Sequence, residues 1–281
     1  MAYKSVFTVA TSQTQVSLAI SAATKICIEN DGHLDVLALG VDRTQVGYSY
    51  VGSGAVMMQV ALAQAEADAR AVETAAKAAI AGEGMPLRVA TEAAVAQLGA
   101  LSDLVAQRAR FADLVVLPKP YGADRGPEAE AVVEAALFEG QAPVLVLPET
   151  GMPTATPKRV VIAWNQGREA MAAVRRALPF LKSADLVDIT IIDPPSHGPE
   201  RSDPGGMLCQ LLVRHGVKAE VSVLAKTLPR ISDVLARHVL DRNADLLVMG
   251  AYGHSRFREA ILGGATRNMM EKAEVPLFMA H

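Results

Sequence analysis

Short runs that are apolar at every position recur along the chain, among them Val160-Val-Ile-Ala163, Leu246-Leu-Val-Met249 and Leu114-Val-Val-Leu117. Longer segments with apolar residues at helical spacing separate them. A run without alternation reads as a strand covered on both faces. In the second half strands are predicted over 159–163, 186–192, 219–224, 246–249 and 277–280, and helices over 168–181, 207–215, 231–241 and 266–272. The first half follows the same plan, with strands over 5–9, 34–39, 87–91, 114–117 and 144–147. It differs by a long Ala-, Gln- and Glu-rich helical stretch over 55–81, which is expected to cover a sheet or the other domain. Strands alternating with helices imply an α/β chain built on mostly parallel, doubly wound sheets.

The two halves repeat one another. Lys4-Ser-Val-Phe-Thr-Val-Ala resembles Lys158-Arg-Val-Val-Ile-Ala-Trp, and Ser102-Asp-Leu-Val-Ala-Gln-Arg resembles Ser232-Asp-Val-Leu-Ala-Arg-His. Each of the latter precedes an Ala-Asp-Leu run, at Ala112-Asp113 and Ala244-Asp245, and each half ends in a short apolar run after Pro143 or Pro276. Three matches in one order point to a duplicated domain. The Pro-, Gly- and Thr-rich stretch 148–157 reads as the linker, giving domains over 1–150 and 157–281.

Composition narrows the partners. A net charge of −3, a pI near 6.1 and one tryptophan, Trp164, leave neither a basic field nor a stacking platform for nucleic acid. Cys27 and Cys209 lie in different halves without a metal or redox spacing, as in a reduced intracellular protein. The N-terminus lacks the pattern of a signal peptide, and no apolar run approaches the roughly 18 residues of a membrane span. A soluble, cytoplasmic protein with no membrane partner is expected.

The segment with chemistry is Val248-Met-Gly-Ala-Tyr-Gly-His-Ser-Arg-Phe-Arg-Glu-Ala-Ile-Leu-Gly-Gly-Ala-Thr-Arg-Asn. It leaves a predicted strand and enters a predicted helix, and open parallel sheets bind ligands beyond the carboxyl ends of their strands. Gly250 and Gly253 allow backbone to approach a ligand without a Cβ between. Gly263 and Gly264 precede Ala265 and Thr266 at a helix start, where N–H groups and the helix dipole favour phosphate. Glycines after strands also serve turns alone, but Gly-x₂-Gly-x₉-Gly-Gly-x-Thr after Ala-Asp-Leu-Leu-Val-Met is a more specific arrangement.

On these residues the chain resembles the universal stress protein family, in particular its tandem-domain bacterial members. The likeness covers 157–281 and, more weakly, 1–148. It implies two Rossmann-like (adenine nucleotide alpha hydrolase-like) domains, each a five-stranded parallel sheet with helices on both faces. It implies ATP or another adenine nucleotide, with Mg²⁺ as a further candidate, in the second domain. Met249 and Gly250 would then face the ribose and adenine, and Gly253 the phosphates. Gly263, Gly264 and Ala265 would offer N–H groups to the phosphates, while Ala163, Trp164, Asn165 and Ile192 would line the adenine pocket. Two departures stand out. Asn165 replaces a common Asp, and Gly264 replaces a hydroxyl residue, for which Thr266 is the substitute unless it caps the helix. The resemblance also implies pairing through the last strands, within one chain or between copies as a homodimer.

At the matching place in the first half, Pro118 stands for Gly250 and Tyr121 for Gly253. Proline removes an N–H and tyrosine adds bulk, so this copy is expected to have lost the nucleotide site. Lys119 and Arg125 in the same loop are better explained as solvated. Gly52-Ser-Gly54 lacks the third glycine of a dinucleotide fingerprint, and no P-loop or nucleophile elbow occurs. The six histidines, His254 in the loop included, show no metal spacing, and Asp193 after the second strand is a turn residue or a Mg²⁺ ligand. No acid–base or nucleophile–base pair emerges. The readings left open are a nucleotide-responsive stress-response module, a slow ATP hydrolase, and an interaction protein with a vestigial site.

Overall fold

The computed structural model describes residues 2–44, 54–84, 86–122, 125–149, 156–194, 202–251 and 264–281. They fall into two compact units, Tyr3–Ala142 and Pro143–His281.

The first unit contains β1 (Ser5–Ala10), α1 (Val16–Asn30), β2 (His33–Asp42), α2 (Gly54–Gly82), β3 (Arg88–Gln97), α3 (Leu101–Ala109), β4 (Leu114–Pro118) and α4 (Pro127–Leu137). Its strands run parallel in the order β3-β2-β1-β4. The chain steps outward from β1 to β2 and β3, then returns to the other side of β1. Right-handed crossovers therefore place α1 and α2 on one face and α3 and α4 on the other, and each pair packs together. β3 continues to Gln97, well past the predicted end at 91, because it pairs with β2 from Arg88 to Gln97. All its residues but Ala96 are exposed or half-buried, so backbone pairing rather than burial defines the strand.

The second unit contains β5 (Val144–Leu147), β6 (Arg159–Ala163), α5 (Arg168–Ser183), β7 (Leu186–Ile192), α6 (Gly206–Arg214), β8 (Ala219–Leu224), α7 (Ile231–Asp241), β9 (Leu246–Gly250), α8 (Ala265–Lys272) and β10 (Leu277–Ala280). Five strands run parallel in the order β8-β7-β6-β9-β10. β5 adds antiparallel to β10, with Leu277 opposite Val146 and Met279 opposite Val144. By compactness the chain divides between Ala142 and Pro143. At the centre of this sheet Val160, Val161, Ile162, Leu247 and Val248 are buried, and Phe180 on α5 meets Phe278 edge-on with centroids 6.1 Å apart.

One side chain marks the duplication. Asp113, just before β4, accepts hydrogen bonds from the backbone of Lys4 (2.8 Å) and Ser5 (3.0 Å) at the start of β1. Asp245, just before β9, does the same for Lys158 (2.8 Å) and Arg159 (2.9 Å) at the start of β6. The repeated Ala-Asp-Leu run therefore locks the two central strands of each sheet in register.

Candidate functional site

The strand order of the second unit reverses between β6 and β9, and there Ala163 lies opposite Met249. On its other side Ala163 pairs with Thr190 of β7. Trp164 extends the strand by donating its backbone N–H to Thr190 (2.9 Å). Its side chain is buried, and the indole Nε1–H has no hydrogen-bond partner among the described residues. Asn165 is exposed, and its Oδ1 accepts from the backbone N–H of Gly167 at 2.9 Å. That bond shapes the turn into α5, helped by Gln166 at φ 62°.

Gly250 closes β9 against the start of the same helix. A Cβ there would lie 2.5 Å from the Ala170 nitrogen and 2.7 Å from the Glu169 carbonyl carbon. The glycine is therefore required for α5 to pack on β9, a demand independent of any ligand. Beyond it, Ala251 donates to Ala280 (2.9 Å), which ties the strand end to β10.

Ile192 ends β7 half-buried and opposite Leu224, one strand away from the reversal. Asp193 follows at φ 52° with its N–H bonded to Leu224 (2.8 Å), as a turn residue. Gly264 is the N-cap of α8, and its carbonyl accepts the first helical bond, from Asn268 (3.1 Å). Ala265 is exposed, whereas Thr266 is buried and engaged. Of the predicted set, Ala163, Trp164, Met249 and Gly250 converge at the ends of β6 and β9. Gly253, Gly263 and His254 lie outside the described residues.

In the first unit Pro118 ends β4, and the crevice between β1 and β4, lined by Val9, Thr11, Leu117 and Pro118, holds only about 20 Å³. Tyr121 hydrogen-bonds through its hydroxyl to Glu130 (2.5 Å) in the first turn of α4. Glu128 occupies the same turn, so acidic side chains already complement the positive end of that helix.

Sequence reasoning missed a buried polar node in the second unit. Asp188 on β7 accepts from Arg242 Nε (2.6 Å) and Ser222 Oγ (3.0 Å), and lies 3.0 Å from His238 Nε2. Thr190, two residues on, donates to its other oxygen (3.3 Å), but these three partners are 34 to 54 positions away and no local pattern brings them together. No group of three or more potential metal ligands occurs among the described residues. Burial pushes the Cys27 thiol up to about 12, so it stays protonated at neutral pH. No described helix is long and apolar enough to cross a membrane.

Comparison with known proteins assigns the domain. The profile of the Universal stress protein family matches residues 156–281. The second half of the chain belongs to the universal stress protein family. A universal stress protein of Synechocystis sp. is 29% identical over 144 residues, a match covering 48% of this chain and 45% of that protein. The chain thus spans about half the length of this curated relative. The fold extends to the first half as well. A universal stress protein of Archaeoglobus fulgidus shares 14% identity with a TM-score of 0.68, covering 99% of this chain and 97% of its own. A functionally unknown protein of Pseudomonas aeruginosa shares 14% identity with a TM-score of 0.56, covering 99% and 92%. The universal stress protein domain and its divergent repeat therefore have one architecture, and the match to the family profile lies in the second.

Proposed function

We propose that the universal stress protein domain binds an adenine nucleotide, with ATP as the first candidate, beyond the carboxyl ends of β6 and β9. The observation that carries this reading is the register of Ala163 against Met249 at the reversal of strand order. That is where an open parallel sheet leaves a crevice, because adjacent connections depart to opposite faces. The glycine-spaced motif begins at that point, at Gly250, and ends at Gly264, the N-cap of α8. A helix start favours phosphate through its dipole and backbone N–H groups. The indole donor of Trp164, which has no acceptor among the described residues, supports the same reading. A buried donor without an acceptor costs about 1–3 kcal/mol, which a ligand acceptor at the end of β6 would offset.

Mg²⁺ would neutralise the phosphates; Asp193 is its nearest candidate carboxylate in the sequence reading. The function is that of a nucleotide-responsive stress module, in which the ligand shifts the population of loop conformations presented to partners. Family membership supports the stress role. A homodimer and pairing of the repeats belong to the same proposal.

Calorimetry on the nucleotide-stripped full chain tests it, with ATP and ADP, each with and without Mg²⁺. Ala265→Glu is the informative variant, since residue 265 is exposed and in the first turn of α8. A glutamate there suits the helix but repels phosphate. Binding should weaken by about tenfold or more, roughly 1.4 kcal/mol, with unchanged thermal stability. Absence of heat with either nucleotide in the unmodified chain would sink the ligand assignment.

A further inference from the structure

The crevice between β1 and β4 of the first unit is closed, yet a cavity of about 490 Å³ opens beside it, over the carboxyl ends of β1 and β2. Its floor is the β1–α1 connection, a run of five polar residues. These supply the hydroxyls of Thr11, Ser12 and Thr14 and the amides of Gln13 and Gln15. One wall is α2, through Asp68 and Val72, and the other is the start of α4, through Gly126 and Glu128. Gly40 on β2 lets α2 come this close, since a Cβ there would overlap the Ala65 carbonyl.

The charges on these walls are matched in sign. Arg43 at the end of β2 is paired through Nη2 with the buried carboxylate of Glu128, and its Nε lies 3.4 Å from the second oxygen. Glu128, and behind it the charge of Asp68, push the Arg43 pKa above its ordinary value. Arg125 is engaged in an interaction of its own. Two guanidinium groups and two carboxylates thus leave no net charge for a phosphate to neutralise. The acidic first turn of α4 further opposes an anion there. Among the described residues no aromatic ring lines the cavity.

We infer that this cavity is a second ligand site, for a neutral polyhydroxylated molecule of monosaccharide or polyol size. The volume falls in the range of small-molecule pockets. Ser12 and Thr14 already share a hydrogen bond (2.9 Å) and Asp68 accepts one from Gln64 (2.8 Å), but hydroxyls, amides and carboxylates keep further capacity that vicinal hydroxyl groups match and an apolar ligand does not. The site is independent of the nucleotide proposed for the second unit.

Saturation-transfer NMR on the full chain, with D-glucose and D-sorbitol as probes, tests the site. Transfer to at least one probe is expected. Ser12→Trp, which places an indole in the cavity, should abolish it, and Asp68→Asn should weaken it about tenfold. Asn165→Ala, in the second unit, should leave it unchanged, so the outcome does not depend on nucleotide binding. Asp68 is exposed on α2, and its variant carries the test if Ser12→Trp does not fold. The inference is overturned by no transfer to either probe, by transfer undiminished in Asp68→Asn, or by displacement of the probe with millimolar inorganic phosphate.

Discussion

Gly250 shows how one residue type can answer two demands. From the sequence its place after an apolar strand suggests close approach of a ligand. The structure shows that α5 already requires it, because a Cβ would meet the backbone of Glu169 and Ala170. Gly250→Ala should therefore destabilise the second unit by about 1–3 kcal/mol, as overpacking of a tight contact does. Urea unfolding of the ligand-free chain measures this, and a loss below about 0.5 kcal/mol would show that α5 yields without strain. Asn165 behaves similarly. The resemblance implies a pocket residue, while its bond to Gly167 makes it a turn residue. Trp164 goes the other way, since nothing in the sequence foretold that its indole N–H would be buried without an acceptor among the described residues.

At the scale of elements, the strands were readable where they are buried on both faces and less so where they are not. β6 and β9 are nearly continuous apolar runs, and their limits agree with the pattern to within a residue. β3 is an edge strand of small and polar residues, so half of it carries no hydrophobic signal. Asp188 interrupts the apolar run of β7, and only packing explains it. Its carboxylate gathers Ser222 of β8 and His238 and Arg242 from α7 and its C-cap onto one strand. Removing one member of such a buried network leaves the others unsatisfied. Asp188→Ala should cost about 3–5 kcal/mol in equilibrium unfolding. A loss under about 1 kcal/mol would mean that water replaces the carboxylate.

At the scale of the whole molecule, the duplication was evident from three ordered matches, and the structure adds the paired roles of Asp113 and Asp245. The register of Val144–Leu147 against Leu277–Ala280 was not legible, because a short apolar run does not fix its own alignment. A fragment starting at residue 143 keeps β5 on β10, while one starting at 157 bares the β10 edge. The shorter fragment, without that pairing, should melt at a lower temperature; identical melting of the two would remove β5 from the account. The sequence by itself determined the α/β class, the repeat, the glycine motif and the loss of that motif at Pro118 and Tyr121, because periodicity and backbone-restricting residues act locally. Only tertiary structure decided that Gly250 supports a helix, that Asp188 has partners, and that a polar cavity stands beside the closed crevice of the first unit. Each of these depends on groups far apart in the chain, whose meeting is fixed by strand order and crossover hand rather than by neighbouring residues.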